Sequence, residues 1–210
     1  MVKSSCRLLR MLGVLAATGV MLNAAFAHAQ EQQSSSTIQK ELKAETYSHI
    51  YTAPYCDFQL GFPEEPEIST NDVPASSGEM VKEDHLSFSK VFSPTNSIYM
   101  EANCRSLVPG ERNMLNDAAI RNTIAAYIKD NDIVSTGEKI FTDEETGARA
   151  GILLGSKRGM EGQSFVTYQL WLTQNSLLLF EIQNNGPMLD DANAMFTNIL
   201  RNINLKTDDQ

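Results

Sequence analysis

The chain has 210 residues, with 26 acidic against 17 basic side chains and a formal net charge of −9 at neutral pH. Its length suits one domain with a sizeable core. Phosphate backbones and anionic lipid head groups repel such an acidic surface. The composition therefore argues against nucleic acid and against electrostatic membrane docking.

Residues 1–29 have the pattern of a secretory signal peptide. Basic residues precede an apolar stretch at 11–22, and small residues follow it. The stretch is shorter than the roughly 20 residues that a membrane span needs, so we expect cleavage, with an uncleaved anchor as the alternative. Two Ala-x-Ala motifs overlap. We predict cleavage after Ala29, with Ala27 as the alternative.

Removal of the leader makes the exported chain more acidic. It takes away three basic side chains and no acidic one, so the formal net charge goes from −9 to −12. Residues 30–54 come next. Their Gln, Ser, Glu and Lys content predicts a flexible N-terminal tail. We expect a single domain over residues 55–206 and a short C-terminal tail at 207–210.

Two cysteines, Cys56 and Cys104, remain once Cys6 leaves with the leader. In an oxidising exported compartment such a pair most simply forms one disulfide bond, worth on the order of 4 kcal/mol. A redox pair would need the two sulfurs two residues apart, and a zinc site would need further Cys or His at fixed spacing. The sequence has neither pattern.

The first predicted elements are strands. An alternating apolar run predicts a strand at 55–62, and the prolines that follow predict a turn-rich connection over 63–79 with no long regular element. Further strands are predicted at about 81–92 and 97–104. The last of these places Cys104 on its apolar face.

The second half alternates between helices and strands. Helical spacing of apolar residues predicts one helix over 113–130 and another that begins after Pro187. Alternation and turn residues predict four strands between them, at 132–142, 148–157, 163–174 and 177–183. The expected fold class is α+β, an antiparallel sheet with packed helices.

The strand at 163–174 is partly apolar on both sides. One side carries Phe165, Thr167, Gln169 and Trp171, a mixture that suits recognition of a protein partner if it is exposed. The alternative is that a helix covers this side, because large aromatic side chains are highly buried on average.

Two short motifs bracket this order of elements, "LGFP" at 60–63 and "FTNILRNINLK" at 196–206. Together with the meander, the central helix, the hairpin and the two long strands, they make residues 55–206 resemble the Mog1/PsbP-like superfamily. The resemblance implies an α-β-α sandwich with a short terminal strand. Members of that superfamily are similar in fold but include partner-binding accessory proteins, photosystem subunits and bacterial periplasmic proteins.

Signatures of catalysis and metal binding are missing from the sequence. His49 and His85 are too scattered for a metal cluster or a histidine relay. The segment "GILLGSKRG" at 151–159 has neither the Gly-Lys-Ser/Thr order of a phosphate loop nor a Gly-x-Ser-x-Gly motif. We therefore expect no catalytic residue and no cofactor.

Acidic residues cluster at 64–67, 130–132 and 143–145. The last two clusters have hard oxygen ligands that suit calcium, but they lack the twelve-residue loop of a dedicated site. Hydrated turns are the simpler interpretation, and we expect no metal site.

These observations favour an exported, non-catalytic protein, periplasmic or secreted, that binds a protein of the cell envelope or aids envelope assembly. A small-molecule or lipid carrier is the main alternative, because Met and Phe residues can line an apolar cavity. A carboxylate-dependent hydrolase is a further alternative.

Overall fold

Antiparallel strands make up most of this protein. The computed structural model describes residues 47–159, 162–187 and 189–206, which belong to one compact unit of the chain. The strands are β1 (His49–Thr52), β2 (Phe58–Phe62), β3 (Glu67–Pro74), β4 (Met80–Ser93), β5 (Asn96–Ser106), β6 (Val134–Thr142), β7 (Arg149–Gly159), β8 (Gly162–Leu172), β9 (Ser176–Asn185) and β10 (Ile203–Leu205).

The strands form two sheets. A seven-stranded sheet has the order β3-β4-β5-β9-β8-β7-β6, and a three-stranded sheet has the order β1-β2-β10. The pairs between neighbouring strands are antiparallel, and β5 pairs with the whole of β9 from Ser97 to Ser106. The expectation of an α+β protein with an antiparallel sheet and packed helices is confirmed.

The helices are α1 (Glu111–Met114), α2 (Asp117–Asp130) and α3 (Asp190–Arg201). The sequence predicted a single helix over 113–130, but the chain interrupts it before residue 117. Asn116 has an extended backbone there, and its side chain accepts a hydrogen bond from Ala119 N at 3.0 Å. This N-cap satisfies a free backbone donor and starts α2 as a separate helix.

The first face of the seven-stranded sheet carries α3 and the three-stranded sheet. Inward side chains of β4, β5 and β9 form the larger core there with residues of β2 and α3. The predicted bridge between Cys56 and Cys104 is confirmed: it lies in this core with a Cα–Cα distance of 6.0 Å, and both cysteines are buried.

The second face of the seven-stranded sheet carries α2. Ile120 and Ile124 of this helix are buried in a second core with side chains of β7, β8 and β9. Leu177 and its neighbour Leu178 belong to different cores because successive residues of a strand point to opposite faces. The two long helices therefore lie on opposite faces, α2 over β6 and β7 and α3 over β5 and β9.

Strand β3 corrects the expectation of a turn-rich connection at 63–79. It pairs with β4 along its whole length as an edge strand. Its side chains are nearly all exposed, so it has no apolar alternation from which it could be predicted. Pro66 precedes the strand and Pro74 ends it, positions at which proline does not interrupt a ladder.

Strand β1 lies inside the segment that was expected to be a flexible tail, 30–54. Its residues pair with β2, Tyr51 opposite Leu60, and Tyr47 and Tyr51 are buried in the larger core. These tyrosines tie the segment to the domain. The predicted signal peptide, its cleavage site, the tail up to residue 46 and the C-terminal tail at 207–210 lie outside the described residues.

Candidate functional site

One half of the first sheet face is formed by the strands β6, β7 and β8. We call it the aromatic half-face, and it consists of the side chains of β6, β7 and β8 on that side. Its main residues are Lys139, Phe141, Ile152, Leu154, Arg158, Phe165, Thr167, Gln169 and Trp171. Cross-strand pairing brings them together, since Phe141 lies beside Ala150, which in turn lies beside Trp171.

The aromatic half-face has an exposed apolar rim. Leu154 is 48% exposed and Phe165 is 39% exposed. Towards β6, the rings of Phe141 and Trp171 meet edge to face with centroids 5.8 Å apart, and Lys139 Nζ lies 5.0 Å from the centre of the Phe141 ring. Both arrangements are favourable for aromatic rings and hold the side chains in place.

The four residues predicted from β8 do lie on this one side, but they differ in exposure. Thr167 and Gln169 are buried, whereas Trp171 is half-buried and packs at the edge of the larger core. The Trp171 indole donates a hydrogen bond to Gln169 Oε1 at 2.7 Å. The accessible surface is therefore provided by Phe165 and by residues of neighbouring strands that the sequence had not singled out, above all Leu154.

The charge of the aromatic half-face is opposite to that of the whole chain. Among the described side chains on this side of β6–β8, Lys139 and Arg158 are basic and none is acidic. Both cations are exposed. The chain as a whole has a formal net charge of −9.

A second group of polar residues surrounds Asp84 on β4, which is 5% exposed. Its carboxylate accepts hydrogen bonds from Tyr51 at 2.7 Å, from Thr70 at 2.6 Å and from Tyr55. Burial acts to raise the pKa of Asp84, but the three hydroxyl groups outweigh it and lower that pKa. The cluster ties β1 and the 53–57 connection to β3 and β4, which is a structural role.

Two glutamates meet on the second sheet face. Glu101 of β5 and Glu181 of β9 are directly opposite each other, and the ion pairs among the described residues do not include them. Tyr99 donates a hydrogen bond to Glu101, and Gln183 donates one to Glu181. Like charges placed opposite each other destabilise a sheet. The two neutral donors reduce the repulsion between the carboxylates only in part.

Three tyrosines surround this glutamate pair. Burial and then the Glu101 carboxylate raise the pKa of Tyr99 to about 12, and burial and then Glu181 raise that of Tyr168 to about 12. Burial and Glu181 raise the pKa of Tyr127 as well. The buried hydroxyl of Tyr127 makes no hydrogen bond in the described part of the chain. All three phenols therefore stay protonated at neutral pH.

Two of the surface cavities formed by the described residues are lined by charged side chains. One, of about 510 Å³, lies beside α1 and contains Arg112 and Arg149. The other, of about 280 Å³, lies beside β4 and β5 and is lined by glutamates, serines and Tyr99. Most of the side chains that line the two cavities are polar, and neither cavity includes Glu101 or Glu181.

Of the remaining polar residues noted in the sequence, His85 and Asp143 have local partners. His85 Nδ1 lies 2.9 Å from Asn103 Oδ1, and His49 is exposed on β1. Asp143 accepts hydrogen bonds from Glu145 N and from the backbone and hydroxyl of Thr146, so it closes the β6–β7 turn. Within residues 47–159, 162–187 and 189–206, no three His, Cys, Asp or Glu side chains are arranged to hold a metal ion.

Comparisons with known proteins do not identify a family. No family model matches the chain, and no curated protein matches it. Three chains of solved structure do match. One is PA94, a protein of unknown function from Pseudomonas aeruginosa, with 10% sequence identity and a TM-score of 0.39 over 77% of this chain and 99% of that one. A similarity at this level carries no conclusion about fold or function. None of the helices in the described part of the chain is long and apolar enough to cross a membrane.

Proposed function

We propose that this chain is an exported, non-catalytic protein that binds a protein of the cell envelope through the aromatic half-face. The observation that carries the proposal is the exposed apolar surface around Leu154 and Phe165, which is flanked by cations in an otherwise acidic chain. Aromatic residues are enriched at protein interfaces, and charged residues are depleted from interface cores.

The chemistry of this surface specifies the kind of partner. Leu154 and Phe165 offer apolar contacts, while Lys139 and Arg158 offer positive charge at the periphery. The complementary surface is an apolar segment flanked by Asp or Glu. Periphery charges of this kind mainly steer association and set its salt dependence.

Export is the second part of the proposal. The buried disulfide Cys56–Cys104 is typical of oxidising compartments outside the cytoplasm, and the predicted leader would direct the chain there. The element order and the helices on both faces of the sheet support a relationship to the Mog1/PsbP-like superfamily. We propose that relationship as the finer assignment of the fold.

The two alternative functions have less support. A lipid carrier needs a largely apolar cavity, whereas the two cavities described above have mainly polar linings. A carboxylate-dependent hydrolase would use two acids in a cleft, and the Glu101–Glu181 pair is the arrangement that resembles this. That pair lines neither cavity, so we assign it no catalytic role.

Site-specific photo-crosslinking in the producing cells tests the proposal. A photoreactive phenylalanine analogue replaces Phe165, and a matched protein carries the analogue at Val91, which is 69% exposed on β4. We expect a discrete adduct with an envelope protein from position 165 and none from position 91. The crosslinked partner segment should contain Asp or Glu beside apolar residues.

Charge reversal provides the second arm of the experiment. Lys139→Glu should weaken the adduct at position 165, whereas Lys129→Glu, the same change on an exposed position of α2, should leave it intact. The proposal fails if both positions crosslink equally, if no adduct forms, or if the adduct is a second copy of this chain.

A further inference from the structure

The larger of the two cavities described above is a groove at one end of the seven-stranded sheet. It has a volume of about 510 Å³, and it lies between the β5–α1 connection, the start of α2 and the β8–β9 turn. Its volume is in the range of small-molecule sites, which is about 300–1,000 Å³. We call it the arginine groove after Arg112 and Arg149, which line it.

Neutral groups hold the Arg112 guanidinium in position. Its Nη2 donates to Gly147 O at 2.9 Å, and its Nη1 donates to Gln174 Oε1. No ion pair among the described residues includes Arg112. A guanidinium bound to carbonyl and amide oxygens is fixed in orientation but keeps its full positive charge and further N–H donors.

Arg149 is held in a similar way from the start of β7. Its Nη1 donates to Leu115 O at 3.0 Å. The Asp117 carboxylate lies 3.3 Å from Nε, which is an ion pair by distance, but Nε–H makes no hydrogen bond in the described part of the chain. Asp117 is also 65% exposed, so solvent screens most of this attraction.

Two amide side chains of the groove already use their oxygens as acceptors. Asn116 Oδ1 already accepts from Ala119 N, and Gln174 Oε1 already accepts from Arg112. Their NH₂ groups, for which no hydrogen bond is formed within the described residues, remain as donors. No acidic side chain of the described residues lines the groove. The charged side chains that line the groove are therefore both cationic donors, and its amide side chains add neutral NH₂ donors.

We propose that the arginine groove binds a small polar molecule through an oxyanion group, a carboxylate or a phosphate. A guanidinium fork matches the oxygens of both groups, and amide NH₂ donors complete their hydrogen bonds. In a chain with a formal net charge of −9, a groove with this donor set is a local site of positive charge. This ligand site is separate from the aromatic half-face and does not depend on the proposed protein partner.

Titration calorimetry on the purified protein at low ionic strength tests the proposal, with citrate as the carboxylate probe and inorganic phosphate as the other. We expect saturable binding of at least one probe, weakened by added salt. Arg112→Gln should weaken it about tenfold or more, the effect of one charge-assisted contact. Arg121→Gln, the same change on an exposed position of α2, should have no effect.

A second pair of variants keeps the test valid if Arg112→Gln disturbs folding. Asn113→Asp places a negative charge in the groove. The Asn113 side chain is exposed and makes no hydrogen bond in the described structure, so the change should leave the circular dichroism unaltered. The new charge should abolish binding. Asn204→Asp makes the same change at the exposed Asn204 of β10 and serves as the control.

The outcomes are distinct. Binding of citrate alone assigns a carboxylate ligand, binding of phosphate alone assigns a phosphate, and binding of both supports a general oxyanion site. The proposal is overturned if neither probe binds, or if Asn113→Asp binds as tightly as the unmodified protein.

Discussion

Glu111 shows how one buried charge is stabilised in this protein. It is 2% exposed, and its carboxylate accepts two hydrogen bonds from Arg105, at 2.7 and 3.0 Å, and one from Val108 N at 3.2 Å. The hydrogen bonds from Arg105 lower the pKa of Glu111 from 4.5 to about 2, against the effect of burial. This pair fixes α1, and α1 carries Arg112 of the arginine groove.

The lowered pKa predicts a pH dependence of stability. The stabilisation is fully present above the unfolded-state pKa of 4.5 and is lost as the pH falls through the folded-state value of about 2. The difference corresponds to about 3 kcal/mol in the free energy of unfolding. Urea unfolding from neutral to acid pH should show a larger loss in the unmodified protein than in Glu111→Gln, because Asp84, whose pKa is also lowered, contributes to both curves.

At neutral pH, Glu111→Gln should itself lower the free energy of unfolding by about 3 kcal/mol, because it leaves the Arg105 charge without its partner. Glu79→Gln, at an exposed glutamate, is the control and should change little. Equal pH curves for the unmodified protein and Glu111→Gln would show that the pair does not stabilise the fold.

At the scale of elements, two glycines of β7 allow α2 to approach the sheet. A Cβ atom at Gly151 would lie 2.4 Å from Ile120 Cγ2 and 2.9 Å from Ile124 Cδ1, and one at Gly155 would lie 2.5 Å from Ile133 Cγ2. The two glycines belong to the "GILLGSKRG" segment. Their role is packing against α2 and the segment that follows it.

Gly151→Ala should therefore lower the free energy of unfolding by about 1–3 kcal/mol, the usual cost of overpacking. Gly137→Ala in β6 is the control, since the new Cβ would lie 4.0 Å from its neighbour Leu154 Cδ1. Urea unfolding measures both. Ile120→Leu removes the Cγ2 methyl group, so in the double variant the loss should be smaller than the sum of the two single losses.

Local patterns predicted most elements but not the boundaries that depend on neighbours. Alternation of apolar residues predicted β5, β8 and β9, because at least one face of each of these strands is buried. It did not reveal β3, whose side chains are exposed and whose stability comes from pairing with β4. The break between α1 and α2 depends on the Asn116 cap, a single-residue signal that lies inside a continuous helical pattern of apolar residues.

At the scale of the whole molecule, the Cys56–Cys104 bond links β5 to the segment before β2 across 48 positions of sequence. Closure of a loop of this length restricts the unfolded chain. The Cys56→Ser, Cys104→Ser double variant should have a free energy of unfolding lower by on the order of 4 kcal/mol. Reduction of the unmodified protein before urea unfolding should give a similar loss and should not affect the double variant. An unchanged unfolding midpoint in both experiments would contradict this account.

Sequence alone predicted the α+β class, the disulfide pairing and which residues share a side of strands such as β5 and β8. These depend on composition, on cysteine number and on a period of two along the chain, which are local properties. The aromatic half-face could not be predicted in full, because Leu154 joins Phe165 there only through the pairing of β7 with β8.

Which half of each sheet face is covered depends, in contrast, on how distant segments pack together. In the order β5-β9-β8, strands from late in the chain lie beside a strand from much earlier in it. This order places Glu101 opposite Glu181, and it leaves one half of each sheet face without a long helix. The arginine groove likewise joins residues from α1, β7 and the β8–β9 turn. Contacts between distant segments depend on how all the layers pack together, and no local pattern in the chain encodes that arrangement.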